Sequence, residues 1–283
     1  MRKAFLLVVF ACMAMVAVTT GCSNKKAEAT DSPSIDSTAM IDTADTVDSA
    51  TEVIAETPMP KAADQLFDDF FFNFIANKKL QRSRIKFPLP VVMGDKTLQM
   101  KREQWKTDHF FRRQGYYTLI FDNAKQLEAA KSTDIDSVIV EKIHLKQGLV
   151  EQYWFDHQEG KWLLSQIRHV SFNDSYNSSF YAFLPKFFAS DGRGYIKDPL
   201  PYSGPDPNGE ETTTINTTIP ASEWMTFLPE IPSDMIYNIL YGQPYTESNK
   251  KILTFRGLSN GMETQLVFRR NGKNWQLVKI NAY

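Results

Sequence analysis

Cysteine is nearly missing from this chain of 283 residues, which holds only Cys12 and Cys22. Cys12 falls in an apolar stretch, Ala4 to Thr19, that follows the positive start Met1-Arg2-Lys3 and has the length of a signal-peptide core. Removal of that leader leaves one thiol, which excludes an internal disulfide and cysteine-ligated zinc. A surplus of either charge is also missing. With 32 Lys+Arg against 33 Asp+Glu the net charge is −1, so there is no overall basic footprint for nucleic acid. Beyond the leader no apolar run approaches the roughly 18 to 20 residues that span a bilayer, and the body is expected to be soluble. Gly-rich phosphate loops, Gly-x-Ser-x-Gly elbows and His-Glu-x-x-His helices do not occur. The Pro/Gly/Asp-rich stretch Ser203 to Gly209 lacks the alternating carboxylates of a calcium loop and reads as a plain loop.

The leader ends at Thr20-Gly21-Cys22, which resembles a bacterial lipoprotein signal, although Thr19 stands where that pattern prefers leucine. The resemblance implies a signal peptide over 1–21, a lipid on Cys22, and no thiol left for nucleophilic catalysis. The other reading is an ordinary secretory signal followed by a free cysteine. Residues 23–60 contain no aromatic and hold eight acids against two bases, Lys25 and Lys26. Such a segment has too little apolar surface to offset chain entropy, so 22–61 is predicted to be a disordered acidic tether. The residues after Cys22, Ser-Asn-Lys-Lys, do not resemble the early acidic run associated with surface export in Bacteroidetes, which implies the periplasmic face of the outer membrane, with the cell surface as the other reading.

Within the tether, Asp36-Ser37-Thr38, Asp42-Thr43-Ala44, Asp45-Thr46-Val47 and Asp48-Ser49-Ala50 resemble the acceptor motif of the periplasmic O-glycosylation system of Bacteroidetes. That resemblance implies sugars on Ser37, Thr43, Thr46 and Ser49, while a Ser/Thr/Asp-rich composition also generates such triplets unaided. Asp136-Ser137-Val138 fits the same pattern but falls at a predicted strand start.

From Ala62 onward aromatics become frequent and the chain repeats itself. Ile85-Lys86-Phe87-Pro88-Leu89-Pro90 returns as Ile196-Lys197-Asp198-Pro199-Leu200-Pro201, Trp105 as Trp224, Tyr116–Asp122 as Met235–Tyr241, and Gly148–Val170 as Gly261–Tyr283. Two domains are predicted, 62–172 and 173–283. Each starts with an aromatic helix (Asp64 to Asn77, with Asp64 as N-cap, and Asn177 to Ala189). An extended Pro-rich segment, a short Trp-bearing helix and four strands follow. The strands are placed near 116–121, 138–146, 149–156 and 162–170, then 235–241, 250–256, 262–269 and 274–281. Short connections between the last strands require antiparallel pairing, and Asn271-Gly272 suits a tight hairpin. The fold class is therefore α+β, with helices on one face of a curved antiparallel sheet in each repeat. Apolar residues on both strand faces, Val150 and Trp154 against Tyr153 and Phe155, leave one face for the second repeat or a partner protein.

This order of elements resembles the cone-shaped nuclear transport factor two-like (NTF2-like) superfamily. The whole chain is similar to a Bacteroidetes lipoprotein family of unknown function. Dehydratases, isomerases and noncatalytic binding modules share that fold, so activity cannot be inherited from it. Superfamily enzymes imply an Asp or His with a Tyr in the pocket, and His109, Tyr117 and Asp122 are the candidate catalytic trio in the first repeat. All four histidines, His109, His144, His157 and His169, lie in that repeat; their gaps of 35, 13 and 12 residues carry no carboxylate motif, and no metal or cofactor is expected. Strand alternation turns His144 to solvent beside Lys142 and Lys146, and His157 is expected to be exposed in a turn. The five tryptophans, with 20 Phe and 11 Tyr, are chiefly core. The favoured reading is a noncatalytic module that binds an envelope protein or a small hydrophobic ligand and meets the membrane only through its lipid. The alternative is an enzyme of dehydratase or isomerase type in the first repeat.

Overall fold

Phe67, Phe70, Phe71, Phe74 and Ile75 recur at helical spacing, and they form the buried face of helix α1 (Phe67–Ala76). The structure, a computed structural model, describes residues 59–189, 192–206, 213–228, 234–242 and 247–283. The leader, Cys22 and the tether with Ser37, Thr43, Thr46 and Ser49 lie outside the described residues. Asp64 does not cap α1. It ends a 3-10 turn, and its carboxylate accepts both Nη1 and Nη2 of Arg84 at 2.7 Å and the amide of Trp162 at 3.3 Å. A bidentate guanidinium is a stronger partner than the end of a helix. Asn77 does cap α2 (Lys78–Ser83), its Oδ1 accepting Leu80 N at 3.0 Å. After the short α3 (Ala124–Glu128), the second half carries α4 (Ser178–Ala189), which buries Phe180, Tyr181, Phe183, Leu184 and Phe187.

The first half supplies β1 (Leu89–Met93), β2 (Lys96–Met100), β3 (Tyr116–Phe121), β4 (Ser137–His144), β5 (Leu149–Gln158) and β6 (Lys161–Ser171). The second supplies β7 (Leu200–Pro205), β8 (Thr214–Ile219), β9 (Met235–Leu240), β10 (Lys250–Gly257), β11 (Glu263–Asn271) and β12 (Asn274–Ala282). The Pro-rich segments, read from sequence only as extended, are the β1–β2 and β7–β8 hairpins. The Trp-bearing segments are 3-10 turns rather than α-helices: Arg102–Gln104 just before Trp105, and Ala221–Phe227 around Trp224.

The sheets are mixed rather than wholly antiparallel, because β1 joins β6 and β7 joins β12 in parallel. A strand that follows the helices enters beside the last strand of its half through a long crossover, which permits parallel pairing. Spatial order is β2-β1-β6-β5-β4-β9 in one sheet and β3-β10-β11-β12-β7-β8 in the other. The halves therefore exchange equivalent strands: β3 pairs with β10, and β9 with β4.

The exchanged strands need apolar residues on both faces, and their near-continuous apolar sequences provide them. In β3, Tyr117, Leu119 and Phe121 pack into the core around α1, while Ile120 belongs to the core around α4. Where the two strands cross, the Thr118 hydroxyl donates to Tyr237 O at 2.7 Å and accepts Tyr237 N at 2.8 Å. The outer face of the first sheet is covered by the second half, since Ile143, Leu145 and Val150 belong to the core around α4.

Candidate functional site

The predicted trio is not gathered at one point. Tyr117 and Asp122 both follow from β3, but they are five residues apart, about 16 Å along a strand, with opposite side-chain parity. Tyr117 is buried against Phe111 and accepts Arg256 Nη1 at 3.3 Å. Asp122 faces the other core, where its Oδ1 accepts Lys251 Nζ at 2.5 Å and the Ser248 hydroxyl at 3.1 Å. His109 is half-buried at the start of the 3-10 turn Phe110–Gln114.

Its neighbour Asp108 is the centre of a polar cluster inside the first cone. Gln81, fully buried on α2, clamps this segment by donating to Asp108 O at 2.6 Å and accepting Trp105 Nε1 and Asp108 N, both at 3.1 Å. Phe110 then adopts a left-handed φ of 46°, and its amide donates to Asp108 Oδ1 at 2.9 Å. That conformation costs a bulky residue about 1–2 kcal/mol. Edge contacts with Phe71 and Tyr153, at 5.0 and 4.9 Å between centroids, hold it.

Lys142 pairs with Asp108 Oδ2 and lies 4.7 Å from the Phe110 ring centre and 5.0 Å from that of Tyr153. The Tyr153 hydroxyl lies 3.3 Å from Asp108 Oδ2 and 3.0 Å from Glu151 Oε2, and His144 Nε2 is 3.4 Å from Glu151 Oε1. Burial, and then the two carboxylates, push the Tyr153 hydroxyl well above the usual tyrosine range, and Tyr237 is raised for the same reasons. Among the described residues no group of His, Cys, Asp and Glu is placed to hold a metal ion.

His144 corrects its sequence reading. Alternation places it with Lys142 as expected, but that face is the inside of the first cone, and Ile143 and Leu145 face the second half. His157 is likewise in β5 rather than an exposed turn, half-buried with its ring 4.8 Å from Trp162. Lys142 shares its parity with the buried Val138 and Val140, a signal in the sequence that β4 has a polar group pointing inward.

The second half carries a cavity of about 670 Å³ at the matching place. The two repeats align through Trp105 with Trp224 and Gly148 with Gly261. On that alignment Asp108, Lys142, His144 and Glu151 correspond to Phe227, Phe255, Gly257 and Thr264, all of which line the cavity. Where the first cone is plugged by ion pairs, the second is open and walled by Tyr116, Tyr202 and Leu228 as well. At Gly257 a Cβ would stand 1.9 Å from Asn260 Oδ1, so a larger residue there would have to move the Asn260 side chain.

Between the cones lies a buried polar network that the sequence reading missed. Glu141 on β4 accepts the Tyr181 hydroxyl at 2.5 Å, Asn238 Nδ2 at 3.0 Å and Gln152 Nε2 at 2.9 Å. Asn238 Oδ1 accepts Ile120 N at 2.8 Å, tying both exchanged strands to the same carboxylate. Asn177 continues the chain from Tyr181, at 3.2 Å, to Lys251 Nζ, at 2.5 Å, and so to Asp122. Burial raises the Glu141 carboxyl above its ordinary value even though three donors point at it.

A family model described as a domain of unknown function, DUF4348, matches residues 46–282. Among solved structures, an NTF2-like protein from Bacteroides fragilis is 35% identical, with a TM-score of 0.71 over 80% of this chain and 99% of that one. The α+β fold of two mixed sheets is thus NTF2-like. No curated protein matches the chain.

Proposed function

We propose that this chain, which belongs to the DUF4348 family, is a noncatalytic binding module that takes a small apolar molecule into its second-half cone. The observation that carries the reading is the cavity of about 670 Å³, within the size range of small-molecule sites and walled mainly by aromatic and aliphatic side chains. An acid–base enzyme in the first half would draw on Asp108, Tyr153 and Glu151. Each already bonds within the cluster, so a substrate would have to displace Lys142 first. In the same proposal the mature chain is held by a lipid on Cys22 at the periplasmic side of the outer membrane, and Ser37, Thr43, Thr46 and Ser49 carry sugars along the tether. Cys22→Ser is then expected to release the protein from the membrane fraction.

Thermal melting against a panel of apolar small molecules tests the binding reading. A ligand at about 100 times its Kd adds roughly 2.7 kcal/mol to the folded state. Wild type is expected to show such a shift and Met262→Trp to lose it, since Met262 lines the cavity yet is 62% exposed and its replacement spares the core. Equal shifts in both proteins would place the ligand elsewhere and end the proposal.

A further inference from the structure

We infer that the second-half cavity selects uncharged, ring-bearing molecules and rejects anionic amphiphiles; this rests on the binding reading above and adds the ligand's chemistry. Glu263 is the charged side chain among the described lining residues, and it is already fully engaged. Its Oε2 accepts Arg256 Nε at 2.9 Å and Nη2 at 2.7 Å, and its Oε1 accepts Gln265 Nε2 at 2.7 Å. Arg256 divides its donors between Glu263 and the Tyr117 hydroxyl. Among the described lining residues there is no lysine or arginine, so a carboxylate, sulfonate or phosphate group carried inside would lose its hydration without gaining a counter-charge, next to a carboxylate of the same sign.

Among the polar side chains of the lining, the hydroxyls of Thr226, Thr264 and Tyr202 are bonded already, to Glu223 O at 2.7 Å, Phe227 O at 3.3 Å and Pro205 O at 2.8 Å, which leaves the amides of Gln114 and Asn260 for a neutral polar group. Most of the contact must come from the apolar walls. These hold two ring pairs: Tyr116 with Phe255, 5.8 Å between centroids at 46°, and Tyr202 with Phe227, 4.6 Å at 44°. Aromatic walls reward a ligand with flat π-faces over a flexible chain, since rings gain from offset and edge contacts beyond the area they bury.

The test uses two dyes with the same phenylnaphthylamine skeleton, one neutral (N-phenyl-1-naphthylamine) and one bearing a sulfonate (8-anilinonaphthalene-1-sulfonate), titrated by fluorescence into the intact protein. The neutral dye is expected to bind about tenfold or more tightly than the sulfonate, a gap of about 1.4 kcal/mol. Met262→Trp and, as a second exposed cavity-blocking variant, Thr226→Trp are expected to abolish its binding. Glu263→Gln removes the carboxylate and leaves Arg256 without a counter-charge, and the preference should then shrink by about threefold or more. Equal or tighter binding of the sulfonate at a site blocked by Met262→Trp would overturn the charge selectivity while leaving the binding reading intact. Failure of the neutral dye to bind, or binding indifferent to both blocking variants, would overturn both.

Discussion

The two halves share an internal skeleton and differ at the mouths of their cones. Trp162 meets Phe67 edge-on at 5.1 Å in the first half, and Trp275 meets Phe180 at 5.0 Å in the second. Phe155 and Phe268 are fully buried at equivalent places, and each half lends one strand to the other's sheet. Large apolar side chains at these positions hold the helices to the sheet in both copies, so little freedom exists there for divergence. The mouths are less constrained. One is filled by Asp108, Lys142 and Glu151 and the other is an apolar hollow, and the proposed ligand capture rests on that difference.

The sheets differ in a second way, on the faces that meet. Across the first sheet Asn238, Glu141 and Gln152 stand in register, while the corresponding residues of the second are Leu119, Thr254 and Gln265. A β9 strand is thus matched to the Glu141 carboxylate in a way that β3 is not. Asn238→Leu should break this match most severely. Glu141 would keep its burial and lose a donor while the Ile120 amide loses its acceptor, and each buried polar group left unpaired costs about 1–3 kcal/mol. Urea denaturation is expected to show that loss, and the double variant Asn238→Leu with Glu141→Thr, which copies the second sheet into the first, should recover the share due to Glu141. If the double variant is as unstable as the single, the network matters through Tyr181 and α4 rather than through strand choice.

At the mouth of the first cone, Lys142→Met removes the cation shared by Asp108 and two rings. The pair is partly solvated, so the expected cost is the smaller one of a charged hydrogen bond, about 1.5–3 kcal/mol. Denaturant midpoints with and without 1 M salt would check it, because a cluster held by charge loses more of that difference in salt than a packing contact does.

Titration of Glu141 distinguishes the two sheets further, since Thr254 does not ionise. Burial raises the folded-state pKa of Glu141 above 4.5, so its protonated form is favoured by folding. Its contribution to stability is present below about 4.5 and is lost as pH rises through the raised value. Glu141→Gln lacks that titration. The stability of wild type relative to the variant is expected to fall over this window by about 1.4 kcal/mol for each pKa unit of displacement. A difference that stays flat across the window would show that Glu141 titrates alike in folded and unfolded chains.

Much of this architecture is legible in the sequence. Helical phenylalanine spacing marks α1, and alternating or continuous apolar runs mark eight of the strands; the tight turn between β11 and β12 is one residue on from the expected Asn271-Gly272, since Asn271 pairs with Asn274 and the turn is Gly272-Lys273, with Gly272 at φ 60°. The exchange of β3 and β9 is not, because local pattern shows that a strand is apolar on both faces and not which neighbour supplies its hydrogen bonds. The same limit misplaced His144: its parity was read correctly, but a polar face can look into a cone as well as into water. The cavity was hidden for a related reason. Phe227 and Phe255 read as ordinary core residues, and only their alignment with Asp108 and Lys142 marks the position as one where the repeats diverged.

The smallest effect is expected at Thr254, the counterpart of Glu141. Its side chain is fully buried, and among the described residues its hydroxyl has no hydrogen-bond partner. A buried hydroxyl without a partner opposes folding, whereas valine has nearly the same shape and no polar atom to desolvate. Thr254→Val should therefore leave stability unchanged or raise it, by up to about 1 kcal/mol. A loss of that size, measured by the same urea titration, would mean that an ordered water joins Thr254 to Gln265. The second sheet would then hold a polar seam of its own, and the contrast at the crossing strands would be one of charge rather than of polarity.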